Sequence, residues 1–371
     1  MSSFKSKLLI FVEDPGAANF IAPVLGPLRK AGWQPVLYAD GTAIMYLENM
    51  GIHAMSLPVD LNVSKLLMTI KPQLLLVGTS ENPDTIGLKM IVVARDLNIP
   101  SVGLIDGPAN SKYRFRGRGN APLEYVADWL FVPDNWTRES YVSLGFPLKR
   151  VKVCGHPYYN LVKENGEMYK SKNKMELRKK IFPDAAEEKS IVIFLTEKSN
   201  GLNTESLRRS SEYTFTGRGG SDLRTEIIME EFLDTIKSMG QDVFLVVRLH
   251  PKEKPSDYEG YLDAFDAISQ GENPLPLLFA ADLIVGLSSS LLVEATILDL
   301  NTLSILPHEG EKDLINTVRA GYTPYVTNRN KLRELLPDLL YKDKKSSSDV
   351  KKMYPIDPVK NITNALSSLC R

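Results

Sequence analysis

Three consecutive serines, Ser288, Ser289 and Ser290, follow the apolar segment DLIVGL and precede the apolar run LLVEATILDL. A strand that ends in hydroxyls and opens a helix gathers two kinds of donor. One is the set of unpaired N–H groups at the helix start, with their partial positive charge; the other is the serine side chains. Together they suit an anion, phosphate above all. One serine at such a place would serve as an N-cap; three exceed what a cap needs. Glu294 lies one turn further on, where a carboxylate can accept hydrogen bonds from ribose hydroxyls. The segment is not a hydrolase elbow, G-x-S-x-G, because Ser290 stands where the second glycine would be.

Some forty residues earlier, VVRLHPKEKP (246–255) ends another apolar run at His250, with Arg248, Lys252 and Lys254 around it. A neutral imidazole hydrogen-bonds a phosphate, and an imidazolium donates a proton to a leaving oxyanion. Thr196 closes the first strand of this half and joins the same set of phosphate ligands. The long polar stretch 198–222 contributes Arg208, Arg209, Thr216 and Arg218, which could fold over a donor or an acceptor.

In the first half the acid–base candidates are carboxylates. Asp106, in PSVGLIDGPAN, ends a strand beside Gly107 and Pro108. It can take a proton from an attacking hydroxyl or bond its own turn. Glu13 and Asp14, in FVEDPGAANF, are rival bases. Gly16 lets a ligand approach the backbone, and Asn19 is expected to begin the next helix. Gly16, Asn19, Gly107 and Asn110 are assigned to the acceptor side of the site. The G-x-G-x-x-G fingerprint is absent, so Asp40 after the second strand does not make a dinucleotide site. KYRFRGRG (112–119) could meet an anionic acceptor or a membrane surface. No H-E-x-x-H, EF-hand or Walker A motif occurs, so neither a metal site nor a resident cofactor is expected.

The elements that position these groups alternate. Strands are expected at 8–12, 35–40, 74–80, 100–107, 127–134 and 149–157, with helices between, and DPGAA as a turn after the first. The pattern restarts with strands at 189–197, 242–251 and 301–308. Strands apolar nearly throughout and separated by helices imply parallel sheets covered on both faces. The chain therefore divides into an acceptor domain (1–160), a linker (161–188), a nucleotide domain (189–354) and a C-terminal helix (355–371), with a cleft between two α/β units. The 371 residues are about twice the usual ~100–200 of one domain. Lys+Arg 45 against Asp+Glu 45 argues against a nucleic-acid partner. Two cysteines, Cys154 and Cys370, cannot build a disulfide framework, and no apolar run reaches membrane-spanning length; a cytoplasmic setting is expected.

The order of an Asp-Gly turn, then R-x-H-P, then S-S-S-x-x-x-E-A resembles the bacterial glycosyltransferases of the GT-B type. Sialyltransferases are most similar, with CDP-glycerol glycerophosphotransferases and capsule Kdo transferases similar in the second half. VCGHPYYN (153–160) is similar to the segment that closes the first domain of such enzymes. The resemblance implies two Rossmann-like domains with parallel sheets facing across a cleft, and an inverting transfer of sugar from a CMP- or UDP-linked donor. The acceptor would be a glycan or a lipid-linked hydroxyl compound. It assigns Asp106 as general base, His250 to the donor phosphate and Ser288, Ser289 and Ser290 to phosphate binding. In this chain Ile105 precedes Asp106 where the sialyltransferase motif has a second acid. The alternatives are a UDP-sugar 2-epimerase, whose pattern has S-G-G at 288–290, and a non-catalytic nucleotide-binding protein of the same fold.

Overall fold

The computed structural model describes residues 6–80, 82–197, 208–240, 242–341 and 357–369. Part of the polar stretch expected to fold over a ligand (198–207), a Lys/Ser-rich segment (342–353) and Cys370 lie outside them. The chain divides into two compact units, residues 1–161 with 352–371 and residues 162–351.

The first unit carries seven parallel strands: β1 (Ser6–Val12), β2 (Trp33–Ala39), β3 (Met55–Ser56), β4 (Leu74–Gly78), β5 (Ser101–Leu104), β6 (Trp129–Val132) and β7 (Val151–Val153). Their spatial order is β3-β2-β1-β4-β5-β6-β7. Leu9, Ile10 and Phe11 are wholly buried, as a strand covered on both faces requires. Burying each such side chain contributes about 1.5–3 kcal/mol. The segment expected as a turn, DPGAA, is instead the start of the helix Pro15–Ile21. Asp14 takes the N-cap place and Pro15 the first helical position, where its fixed φ and missing N–H cost nothing. Asn19 consequently sits inside that helix and does not begin it. The helix Pro358–Leu369 returns to this unit: Ile362 and Leu366, one turn apart, enter its core, and Asn361 Nδ2 donates to the Cys154 carbonyl at 3.3 Å.

The second unit carries β8 (Ser190–Leu195), β9 (Val243–Arg248), β10 (Ala267–Ser269), β11 (Leu283–Gly286), β12 (Thr302–Ile305) and β13 (Tyr325–Val326), all parallel, in the order β10-β9-β8-β11-β12-β13. The segment 161–188, which the sequence presents as a linker, contains most of the helix Pro157–Lys170 and the helix Lys174–Ile181. The helix Arg224–Met239 buries Ile228, Phe232 and Ile236 at four-residue spacing and stops at Gly240, whose φ of 64° is the left-handed value that glycine adopts without strain. In each sheet the order reverses at a central pair, β1/β4 and β8/β11. Ligands of open parallel sheets bind outside the carboxyl ends of the strands at such a reversal.

Candidate functional site

At the second reversal, the chain leaves β8 through Thr196 and Glu197 and leaves β11 through Ser288. Glu197 spans the two. Its Oε1 accepts the Ser288 N–H and its Oε2 accepts the Ser288 hydroxyl at 2.8 Å. Arg224, the first residue of the long helix and 4% exposed, lies against the same carboxylate, with Nη1 2.7 Å from Glu197 Oε2. The other edge of its guanidinium is held by Glu311, and Nη2 reaches Ser288 Oγ at 3.3 Å. The two carboxylates hold the Arg224 guanidinium firmly in its charged form.

The next serines differ from the first. Ser289 is the N-cap of the helix Ser290–Ile297, its Oγ accepting the Leu291 N–H at 3.2 Å. Ser290, the first helical residue, is exposed. One turn on, Glu294 is 6% exposed, and its carboxyl group makes no hydrogen bond among the described residues. Burial raises its carboxyl pKa to about 8, so it carries its proton at neutral pH.

His250 follows β9. Its backbone N–H donates to Thr196 Oγ1 and to Glu253 Oε2, both at 3.0 Å. Its Nδ1 accepts the Lys252 N–H at 3.1 Å, so in a neutral ring the proton is carried by Nε2. Glu253 braces this loop. Besides the His250 amide it accepts the hydroxyls of Thr196 at 2.5 Å and Tyr258 at 2.7 Å. Burial pushes its pKa up, against the pull of those donors. Thr196 thus serves the His250 turn from within. Arg248 is turned elsewhere: it is buried, bonded to Ser269 Oγ at 2.6 Å, to the Glu272 carbonyl at 2.7 Å and to the Glu272 carboxylate. Lys252 is exposed. The arginines of the polar stretch are tied down as well. Arg218 pairs with Asp234 at 2.6 Å, and Arg209 donates to the Thr216 and Ser221 carbonyls. The Thr216 and Gly217 amides donate to the buried Glu231.

At the first reversal, Asp106 lies two residues beyond β5. Arg114, 8% exposed, stands 2.8 Å from Asp106 Oδ1 and also donates to Thr79 Oγ1 at 2.9 Å. Asp106 Oδ2 packs on Gly16 so closely that a Cβ there would collide with it, so glycine at 16 is needed to admit a side chain of the protein. Glu13 reaches across from β1 and accepts from Asn82 Nδ2 at 2.6 Å. Asn110 holds a positive φ of 60°, and Gly107 has open space where a Cβ would be. His156, in the loop after β7, is 4% exposed, stacked on Tyr159 with centroids 4.2 Å apart and edge-on to Phe20 at 5.0 Å. Burial lowers its pKa to about 4, against the attraction of Asp106. Gly16 and Phe20 are one turn apart on one helix, so this carboxylate and this imidazole are packed along the same element.

The expected residues therefore fall into distinct sets. Asp106, Gly16, Asp14 and Asn19 share the carboxyl end of the first sheet; Ser288, Ser289, Ser290, Glu294, Thr196 and His250 share that of the second. Arg248 is not brought to a ligand-accessible surface. Glu197, Arg224, Glu311, Glu253 and His156 do not emerge from the sequence as site residues. Of these, Glu197 was the most accessible, since it directly follows Thr196 at a strand's carboxyl end. A cavity of about 660 Å³ in the second unit, bordered by Tyr169, Lys180 and Glu272, touches none of the expected site residues except through Glu272, the partner of Arg248. Among the described residues no cluster of His, Cys, Asp and Glu is arranged to hold a metal ion, and no helix is long and apolar enough to cross a membrane.

This arrangement defines a class: two parallel-sheet α/β units of the GT-B kind. Comparison with solved structures agrees. The chain is similar to the UDP-GlcNAc 2-epimerase of Neisseria meningitidis bound to UDP-GlcNAc, with a TM-score of 0.68, 15% identity and coverage of 98% of this chain and 100% of the other. It is similar to that of Methanocaldococcus jannaschii, with a TM-score of 0.66, 15% identity and coverage of 98% and 99%. A third match is Anabaena Alr3699/HepE in complex with UDP, with a TM-score of 0.62, 13% identity and coverage of 98% and 100%. No protein-family model and no curated protein sequence matches. The architecture shared with glycosyltransferases stands; the narrower resemblance to sialyltransferases, CDP-glycerol transferases and Kdo transferases has no counterpart among these structures.

Proposed function

We propose that the chain is a nucleotide-sugar enzyme whose second unit takes a uridine nucleotide at the 288–294 turn. The observation that carries this reading is Glu294. It is a nearly buried carboxyl group, protonated at neutral pH and without a hydrogen-bond partner among the described residues, one turn inside a helix that begins with exposed donors. A protonated carboxyl both donates and accepts, which matches a ribose diol. The helix start and Ser290 supply donors for the phosphoryl oxygens, and His250 Nε2 adds one more.

Four structurally similar proteins are described in complex with UDP-GlcNAc or UDP, which supports a UDP-sugar as the substrate. The reaction that fits first is epimerisation of a UDP-N-acetylhexosamine. It needs a group to move a proton at the sugar carbon, and a grip on the nucleotide while the sugar changes. In the first unit Asp106, partly exposed and held by Arg114, is the carboxylate suited to proton transfer. A second reading is glycosyl transfer, with Asp106 as general base toward an acceptor hydroxyl. The side chains of Ser289 and Ser290 favour it, because the epimerase pattern has glycine at both places. Incubating the protein with UDP-GlcNAc alone and following the sugar anomeric signals by NMR separates the two. Conversion without acceptor supports epimerisation. Turnover only when a hydroxyl acceptor is added supports transfer. Absence of UDP binding in calorimetry refutes both.

A further inference from the structure

We propose that Glu197 is an internal competitor for the phosphoryl group at the 288–290 turn, and that it makes the site select a whole nucleotide over free phosphate. The inference rests on the nucleotide reading above. Three observations lead to it. First, the position is the strand-order reversal between β8 and β11, where ligands of such sheets bind. Second, Glu197 occupies the Ser288 N–H and the Ser288 hydroxyl together, the two donors that a phosphoryl oxygen at this turn would take. Third, the carboxylate is fixed by Arg224 at 2.7 Å, and Arg224 is shared with Glu311. One cation is thus set against two carboxylates, with His308 Nε2 3.6 Å from Glu311 Oε1 as the further titratable neighbour.

The electrostatic consequence is direct. A phosphate arriving at Ser288 would place a second anion beside a carboxylate that already owns the donors. Like charges at such separations repel far more in a poorly hydrated pocket than in water. The ligand must settle on the donors further along, at Ser290, or Glu197 must withdraw onto Arg224. Both weaken the hold on a bare phosphate. The ribose at Glu294 and the base then supply the remainder of the affinity, so recognition depends on the complete nucleotide.

The test is isothermal titration of the wild type and Glu197→Gln with UDP, CMP and inorganic phosphate, with thermal melts to establish folding. Glutamine keeps the length and an acceptor oxygen for the Ser288 N–H, and removes the charge. Glu197→Met, of similar length with neither charge nor acceptor, gives an independent second reading. UDP should bind the variants about tenfold or more tightly, ~1.4 kcal/mol, and inorganic phosphate, not bound measurably by the wild type, should become a ligand. UDP bound by the variants but not by the wild type is the extreme form of the same result. Wild-type binding with no gain in either folded variant overturns the inference and leaves the nucleotide reading standing. No UDP binding by any of the three overturns both. Variants that fail to fold assign Glu197 to holding Arg224 in place and overturn the inference too.

Discussion

Two carboxylates do corresponding things at the carboxyl ends of the two sheets, with different results. Glu13 crosses from β1 to Asn82 beyond β4, and Glu197 crosses from β8 to Ser288 beyond β11. Around Glu197 the side chains of Arg224, Glu311, Ser288, Thr196, Glu253 and Tyr258 bond to one another, with Tyr213 Oη, near Arg224 and Glu311, left without a hydrogen bond among the described residues. Around Glu13 more atoms are left over. Its own Oε2, Asn19 Oδ1, Thr42 Oγ1, Tyr141 Oη and His156 Nδ1 are buried without a hydrogen bond among the described residues. Folded proteins leave few such atoms, because each costs about 1–3 kcal/mol. The second end is a hydrogen-bonded frame in which one arginine ties two carboxylates together. The first holds unused hydrogen-bonding capacity beside the one partly exposed, ion-paired carboxylate, Asp106, and so retains the chemical freedom that a reacting site needs.

The sharpest way to break this contrast is to remove the hub of the saturated end. Arg224→Met leaves the buried Glu311 and the part-buried Glu197 without their cation, and should cost about 3–5 kcal/mol in urea denaturation. A loss under 1 kcal/mol would mean that the network does not hold the loops beyond β8, β11 and β12 together.

A subtler effect distinguishes the two ends by pH. His156, with a folded pKa of about 4 against the usual 6.5, favours the neutral ring. Its contribution to stability is present above pH 6.5 and is lost as pH falls through 4. Glu294, raised to about 8 from 4.5, favours the protonated acid. Its contribution is complete below pH 4.5 and is lost as pH rises through 8. Relative to wild type, His156→Phe should therefore flatten the acid side of the stability curve and Glu294→Gln the alkaline side, each by roughly 2–3 kcal/mol. Parallel curves for a variant and the wild type would show that its residue is not held in the stated protonation state.

The smallest of the three effects is steric. Gly16→Ala puts a methyl group against Asp106 Oδ2, and should cost about 1–2 kcal/mol of stability. Turnover should fall with it, because the carboxylate must leave the Arg114 pair to make room. Unchanged activity would remove the geometry of Asp106 from the mechanism.

The parallel α/β character was legible in the sequence because these strands are covered on both faces. LLIFV, LLLVG and IVIFL are apolar without alternation, and the helices between the first strands are followed by Gly32 and Gly51. The start of the first helix was misread, because Asp-Pro-Gly is turn chemistry unless a helix follows it directly; here Asp14 and Pro15 open one. The serine turn, His250 and Asp106 were visible as polar residues at the ends of apolar runs. Arg248 was visible in the same way and is buried, because Ser269 on the neighbouring strand β10 and Glu272 just beyond it take its guanidinium.

The sequence by itself determined which segments become strands and helices, and which polar residues stand at their carboxyl ends, since both follow from local hydrophobic pattern and chain punctuation. Only the tertiary structure decided the partners: that Glu197 takes the donors of a serine ninety-one residues away, that Arg224 unites three loops, that Asp106 rests on Gly16. Those choices depend on the order of strands in the sheet, and strand order is set by packing among elements distant in the chain, which no local pattern encodes.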